Sequence, residues 1–94
     1  MSDPELWHEI AAVLREATGE DAEFLAGLEP GTRLDGDLLI DSLELAALDE
    51  LLRHRYGGSV DLLALVARLD LDAIIALTIG DVAEHVATHR TAAR

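Results

Sequence analysis

Leu6, Ile10, Val13, Leu14 and Ala17 recur at three-to-four spacing, which predicts a first helix over roughly residues 3 to 18 with a single buried stripe. Ser2 or Asp3 suits its N-cap, Pro4 its first position, and Glu5 completes a capping box with Ser2, while Thr18-Gly19 stops it. From Gly19 to Leu39 the helical period breaks. Phe24, Leu25, Leu28, Leu34 and Leu38 are irregularly placed among turn signals at Gly27, Pro30-Gly31 and Asp35-Gly36-Asp37, so a long ordered loop pinned by apolar anchors is expected. A second helix is predicted from Asp41-Ser42 to about Tyr56, ended by Gly57-Gly58. Leu45, Leu48, Leu52 and Tyr56 form its core stripe. Leu43, Ala47, Glu50 and Leu51 lie on another face, because residues 43 and 45 point about 200° apart around a helix. Ser59 is placed to cap a further helix through Leu69, Asp70 or Asp72 a short one through Leu77, and Thr78 with Asp81 a last helix through about His89. The tail Thr91 to Arg94 is expected to fray.

Ninety-four residues suffice for one domain, 1–94, and not for two. Half are hydrophobic and only 3% aromatic, with Leu and Ala far ahead of β-branched residues, so the expected class is all-α. The longest apolar runs, such as Ala73 to Leu77, fall far short of the roughly 20 residues that span a bilayer, and residues 1 to 5 lack a signal peptide's regions. A soluble, cytoplasmic chain is expected. With no cysteine there is no disulfide framework, thiolate zinc site or thiol nucleophile. Nineteen Asp and Glu against seven Arg, without Lys, give a net charge of −12 that would repel a polyphosphate backbone. Nucleic acid and anionic membranes are therefore poor partners, and proteins bearing Arg and Lys patches good ones. The Arg-only, Ala-rich usage fits a GC-rich bacterial genome.

The candidate site lies in Asp37-Leu38-Leu39-Ile40-Asp41-Ser42-Leu43-Glu44-Leu45. A serine at the first position of a helix has its hydroxyl beside unpaired backbone N–H groups and the positive end of the helix dipole, a favourable place for a phosphate ester. The bland alternative is that Asp41 or Ser42 is only an N-cap. The stretch from Asp37 to Leu43 resembles the signature of the acyl carrier protein family around its modified serine: an aspartate-leucine pair followed two residues later by Asp-Ser-Leu. Leu28-Glu29-Pro30-Gly31-Thr32-Arg33-Leu34 is similar to the loop preceding that signature, and Leu77-Thr78-Ile79-Gly80-Asp81-Val82 to the start of the family's last helix. Leu48, Leu52 and Tyr56 fall where its second helix keeps core residues.

The resemblance implies a small four-helix bundle with a long first loop. It implies that Ser42, flanked by Asp41 and Leu43, receives a 4'-phosphopantetheine arm from coenzyme A through a Mg-dependent phosphopantetheinyl transferase. The arm's thiol would carry acyl groups as thioesters, and the protein itself would catalyse nothing. Partner enzymes such as a ketosynthase or acyltransferase would dock on the second helix, through Leu43, Glu44, Ala47, Glu50 and Leu51, with Asp49 beside them, on a monomer without a metal. Leu39 stands where the family often has Gly, and Ala47 and Arg53 where many fatty-acid carriers have acids. Between Tyr56 and Thr78 the chain is several residues longer, enough for an extra helix. These departures favour polyketide or other specialised biosynthesis. The alternatives are an unmodified acidic interaction module and a peptidyl or aminoacyl carrier.

Rival chemistries meet spacing problems. No Gly-x-Ser-x-Gly elbow surrounds Ser42, and His54 lies twelve residues along the same helix, about 18 Å away. His8, His85 and His89 could approach only through tertiary folding. An EF-hand begun at Asp35 puts Leu39, Ile40 and Ala46 at positions that need a ligand, a glycine and a glutamate. His85 and His89 have two-histidine spacing but no third ligand, and Arg53-His54-Arg55 reads as compensation of the helix dipole. Trp7 and Phe24 are expected to anchor the core, with Tyr56 there too, its hydroxyl near solvent.

Overall fold

The computed structural model describes residues 5 to 89. These residues form an all-α bundle of six helices: α1 (Leu6–Thr18), α2 (Ala22–Ala26), α3 (Ser42–Tyr56), α4 (Leu62–Ala67), α5 (Leu71–Ala76) and α6 (Ile79–His89). The long helix α1 packs against both α3 and α6, and α4 against α3. The stripe on α1 is buried as its spacing predicts, through Leu6, Ile10, Val13 and Leu14, with Ala17 at its margin. Gly19 ends α1 in the left-handed region (φ 74°), where its N–H and that of Glu20 both reach the Arg15 carbonyl. The N-terminal cap and capping box expected at Ser2, Asp3 and Pro4, and the tail from Thr91, lie outside the described residues.

Leu14, Leu48, Leu52, Ile79, Val82 and Val86 have almost no exposed surface and form the centre of a single apolar cluster. Each such side chain contributes about 1.5–3 kcal/mol relative to leaving it in water. Trp7 and Phe24 are half-buried against this cluster. No described helix is long and apolar enough to cross a membrane.

Two expectations are corrected. The span from Gly19 to Leu39 is not all loop, because Asp21 accepts a hydrogen bond from Phe24 N (3.1 Å) and caps the single-turn α2. Five residues are too few to display a helical period, so the pattern concealed it. The helix expected from Ser59 begins at Leu62 instead and ends at Ala67. Its cap is Asp61, whose carboxylate accepts from Ala64 N (3.0 Å), while Ser59 sits in the preceding turn.

Elsewhere the polar signals locate the helix starts correctly. Asp70 caps α5 through Ala73 N (2.8 Å). Thr78 and Asp81 exchange two 3.0 Å hydrogen bonds at the start of α6.

Candidate functional site

Ser42 is the first residue of α3, and the cap belongs to its neighbour. Asp41 accepts from Glu44 N (2.8 Å), and Glu44 accepts in return from Asp41 N (3.3 Å), a complete capping box. Capping therefore makes no demand on Ser42. Its side chain is exposed, and no described residue holds its hydroxyl in a hydrogen bond. The N–H groups of Ser42 and Leu43 belong to the unpaired first turn, at the positive end of a fifteen-residue helix.

The loop that delivers Ser42 is held at several points. Leu34 N donates to Leu77 O (2.9 Å), Ile79 N to Thr32 O (2.9 Å) and Gly80 N to Pro30 O (2.8 Å), lacing residues 30–34 to the start of α6. Asp37 accepts from Arg33 N (2.8 Å) and pairs with the Arg33 guanidinium (3.0 Å), which holds its carboxyl below the usual carboxylate range. Leu39 N then reaches Asp35 O (3.1 Å) and Ile40 N reaches Leu34 O (3.0 Å). This turn puts Leu39 at φ 55°, the one described non-glycine residue at positive φ. A leucine there costs about 1–2 kcal/mol in backbone strain. Its side chain is 77% exposed and recovers little of that through packing.

Beside Ser42 lies a cleft of about 200 Å³, walled by Leu34, Ile40, Leu45, Val66, Ile74 and Leu77, with Asp35 and Asp41 also along it. Val66 comes from α4 and Ile74 from α5, so the long segment between Tyr56 and Thr78 supplies one wall. No histidine lines this cleft.

The residues expected on the docking face of α3 differ in environment. Leu43 is 81% exposed and Glu50 is exposed. Ala47 and Leu51 are half-buried, Leu51 against the core, and Glu44 is engaged in the capping box. Asp49 is not on that face. It is only 4% exposed and accepts from Leu62 N (2.7 Å), while Arg53 bridges it to Asp61 at 3.0 Å on either side. Arg53 thus joins α3 to the α4 cap, beyond the dipole role its position suggests.

The same junction uses His85, whose Nε2 accepts from Asp61 N (3.1 Å). That geometry requires a neutral ring with its proton on Nδ1. Burial, reinforced by the charge of His89, pushes the His85 pKa below its ordinary value. His89 Nδ1 lies 3.0 Å from His85 O. Among the described residues no group of three or more His, Asp and Glu is arranged to hold a metal ion. Sequence reasoning missed the junction of Asp49, Arg53, Asp61 and His85. The signal available was the carboxylate at position 49, one residue from Leu48 in the core stripe and four before an arginine.

The chain has no significant match among protein-family models, curated proteins or solved structures.

Proposed function

We propose that this chain is a discrete acyl carrier protein, loaded with a 4'-phosphopantetheine arm on Ser42 and serving polyketide or related specialised biosynthesis in the cytoplasm. The observation that carries the reading is the exposed Ser42 hydroxyl, left unused by the capping box and set between unpaired N–H groups and an apolar cleft. The residues present suit such an arm. Ser42 Oγ offers the point of esterification, the Ser42 and Leu43 N–H groups face a phosphate, and the cleft accepts an uncharged chain. The resemblance from Asp37 to Leu43 supports the same assignment. The chain has no cysteine, and the arm's thiol supplies the sulfur on which acyl groups travel.

In loading, a phosphoester bond forms to Ser42 Oγ while the pyrophosphate bond of coenzyme A breaks, and adenosine 3',5'-bisphosphate leaves with the bridging oxygen. The hydroxyl proton passes to a base on the transferase. Intact mass after incubation with coenzyme A, Mg²⁺ and a broad-specificity phosphopantetheinyl transferase tests the reading. One arm is gained by the wild type and none by Ser42→Ala. An unchanged wild-type mass across several transferases rejects it in favour of an unmodified acidic interaction module.

A further inference from the structure

Among the described residues, two of the four large apolar side chains that stand out in solvent flank Ser42: Leu39 at 77% and Leu43 at 81% exposure. Leu43 follows Ser42 directly in the helix. Leu39 is more informative, because two features of it are unfavourable in the isolated chain at once. Its backbone sits at φ 55°, a conformation that glycine or asparagine adopts with less strain, and its side chain lies mostly in solvent. The hydrogen bonds that close the turn, Leu39 N to Asp35 O and Ile40 N to Leu34 O, run between backbone groups and need no leucine. Strain and exposure that the fold does not require are expected where a side chain meets something outside the fold.

We propose that Leu39 is a partner-contact residue that, with Leu43, forms the apolar contact on which the transferase loading Ser42 docks. The proposal rests on the reading of Ser42 as a loading site. Three residues of chain hold the Leu39 and Ser42 Cα atoms within about 11 Å of each other. An enzyme footprint of about 800 Å² is roughly 30 Å across, so a protein closing over the Ser42 hydroxyl also covers Leu39. The surroundings define the chemistry of that enzyme surface. From residue 33 to 52 the sole cation is Arg33, already paired with Asp37, while Asp35, Asp41, Glu44 and Glu50 contribute negative charge. The complementary surface is an apolar socket ringed by Arg or Lys.

Loading kinetics with coenzyme A and a broad-specificity phosphopantetheinyl transferase, measured on the full chain, test this through Leu39→Gly, Leu39→Asn and Leu39→Met. Glycine and asparagine suit the backbone and remove the apolar contact, so Tm should hold or rise while kcat/KM falls about fivefold or more, through KM for the chain. Methionine keeps the apolar volume and should stay within about twofold of wild type. Equal kcat/KM in wild type, Leu39→Gly and Leu39→Asn overturns the contact. A loss in Leu39→Met as large as that in Leu39→Asn also overturns it, because apolar volume would then be irrelevant. A wild-type chain that gains no arm rejects the carrier reading itself, and this proposal with it.

Discussion

The Asp49 carboxylate, 4% exposed in the middle of α3, accepts a 2.7 Å hydrogen bond from the backbone N–H of Leu62, the first residue of α4. An acidic side chain of α3 is thereby committed to holding the bundle together. Asp49→Ala leaves the Leu62 N–H without its acceptor and deprives Arg53 of one carboxylate, so unfolding free energy should fall by about 2 kcal/mol. Asp49→Asn retains an acceptor oxygen and should lose less. Urea denaturation followed by circular dichroism checks the order: wild type, then Asn, then Ala in falling midpoint. A surface role for Asp49 would leave all three midpoints equal.

Stability should also depend on pH through His85. The ring accepts from Asp61 N, and it is faced by His89 on α6, Asp49 on α3, and Asp61 and Arg68 at the two ends of α4. Its pKa is lowered in the folded chain, first by burial and then by His89, so the unfolded chain binds the proton more readily. The contribution of neutral His85 is complete above its unfolded value of about 6.5 and is lost as pH falls from there through the lower folded value. Protonation converts the Nε2 acceptor into a donor, and the Asp61 N–H loses its partner. In an NMR titration the amides of Asp61 and Leu62 should shift with the His85 midpoint, and that midpoint should lie below 6.5. His85→Gln, which does not titrate, should remove this component of the pH dependence. The acid-range loss associated with the lowered pKa values of Asp37 and Asp61 should remain.

The starts of α3, α5 and α6 and the main core stripes were legible because they depend on local chemistry, whereas the single-turn α2 and the Asp61 cap of α4 were not. Leu6, Ile10, Val13 and Leu14 mark a face by their period, and Asp41, Asp70 and the Thr78–Asp81 pair mark ends by their oxygens. Ser42 at the start of α3 was legible for the same reason. The misread parts of the site depend on tertiary contact. Asp49 and Glu50 are adjacent carboxylates of similar local character, yet one meets Leu62 N across the α3–α4 junction and the other meets solvent. The positive φ at Leu39 was equally hidden, since it arises from the lacing of the 33–40 turn, and a leucine there carries no sign of it.

The capping box dictates how the α3 surface has to be tested. Reversing Glu44 to Arg removes the acceptor for Asp41 N and places a cation at the positive end of the helix, costing about 1 kcal/mol by itself. Slower partner reactions in that variant would mix docking with helix fraying. Glu50 is exposed, so Glu50→Arg should leave the thermal midpoint within about a degree or two while lowering the association rate with a basic partner, most strongly at low salt. Glu44→Gln keeps an acceptor and serves as the matched control. Glu50→Arg with an unaltered association rate at low ionic strength removes this residue from the docking face.

Gly36 gives the sharpest test of how the loop supports the cleft beside Ser42. A Cβ at this position would lie 3.0 Å from the Ile75 carbonyl oxygen of α5 and 3.0 Å from Arg33 Nε. The arginine side chain can move aside, although doing so disturbs its pair with Asp37, but the helical carbonyl cannot. Gly36→Ala must therefore push the 33–38 turn away from α5, against the Leu34 N to Leu77 O hydrogen bond that ties the two together. The expected loss is about 1–3 kcal/mol, the range for overpacking at a tight contact. The displacement widens the gap between Leu34 on the turn and Ile74 on α5, two walls of the same cleft. Hydrogen exchange should accordingly accelerate at Leu34, Leu39 and Ile40, with Leu48 and Leu52 in the centre of α3 changing only as far as global stability falls. Uniform acceleration throughout α3 would show that the turn and the bundle open as one unit, and that Gly36 secures the whole fold instead of one side of the cleft.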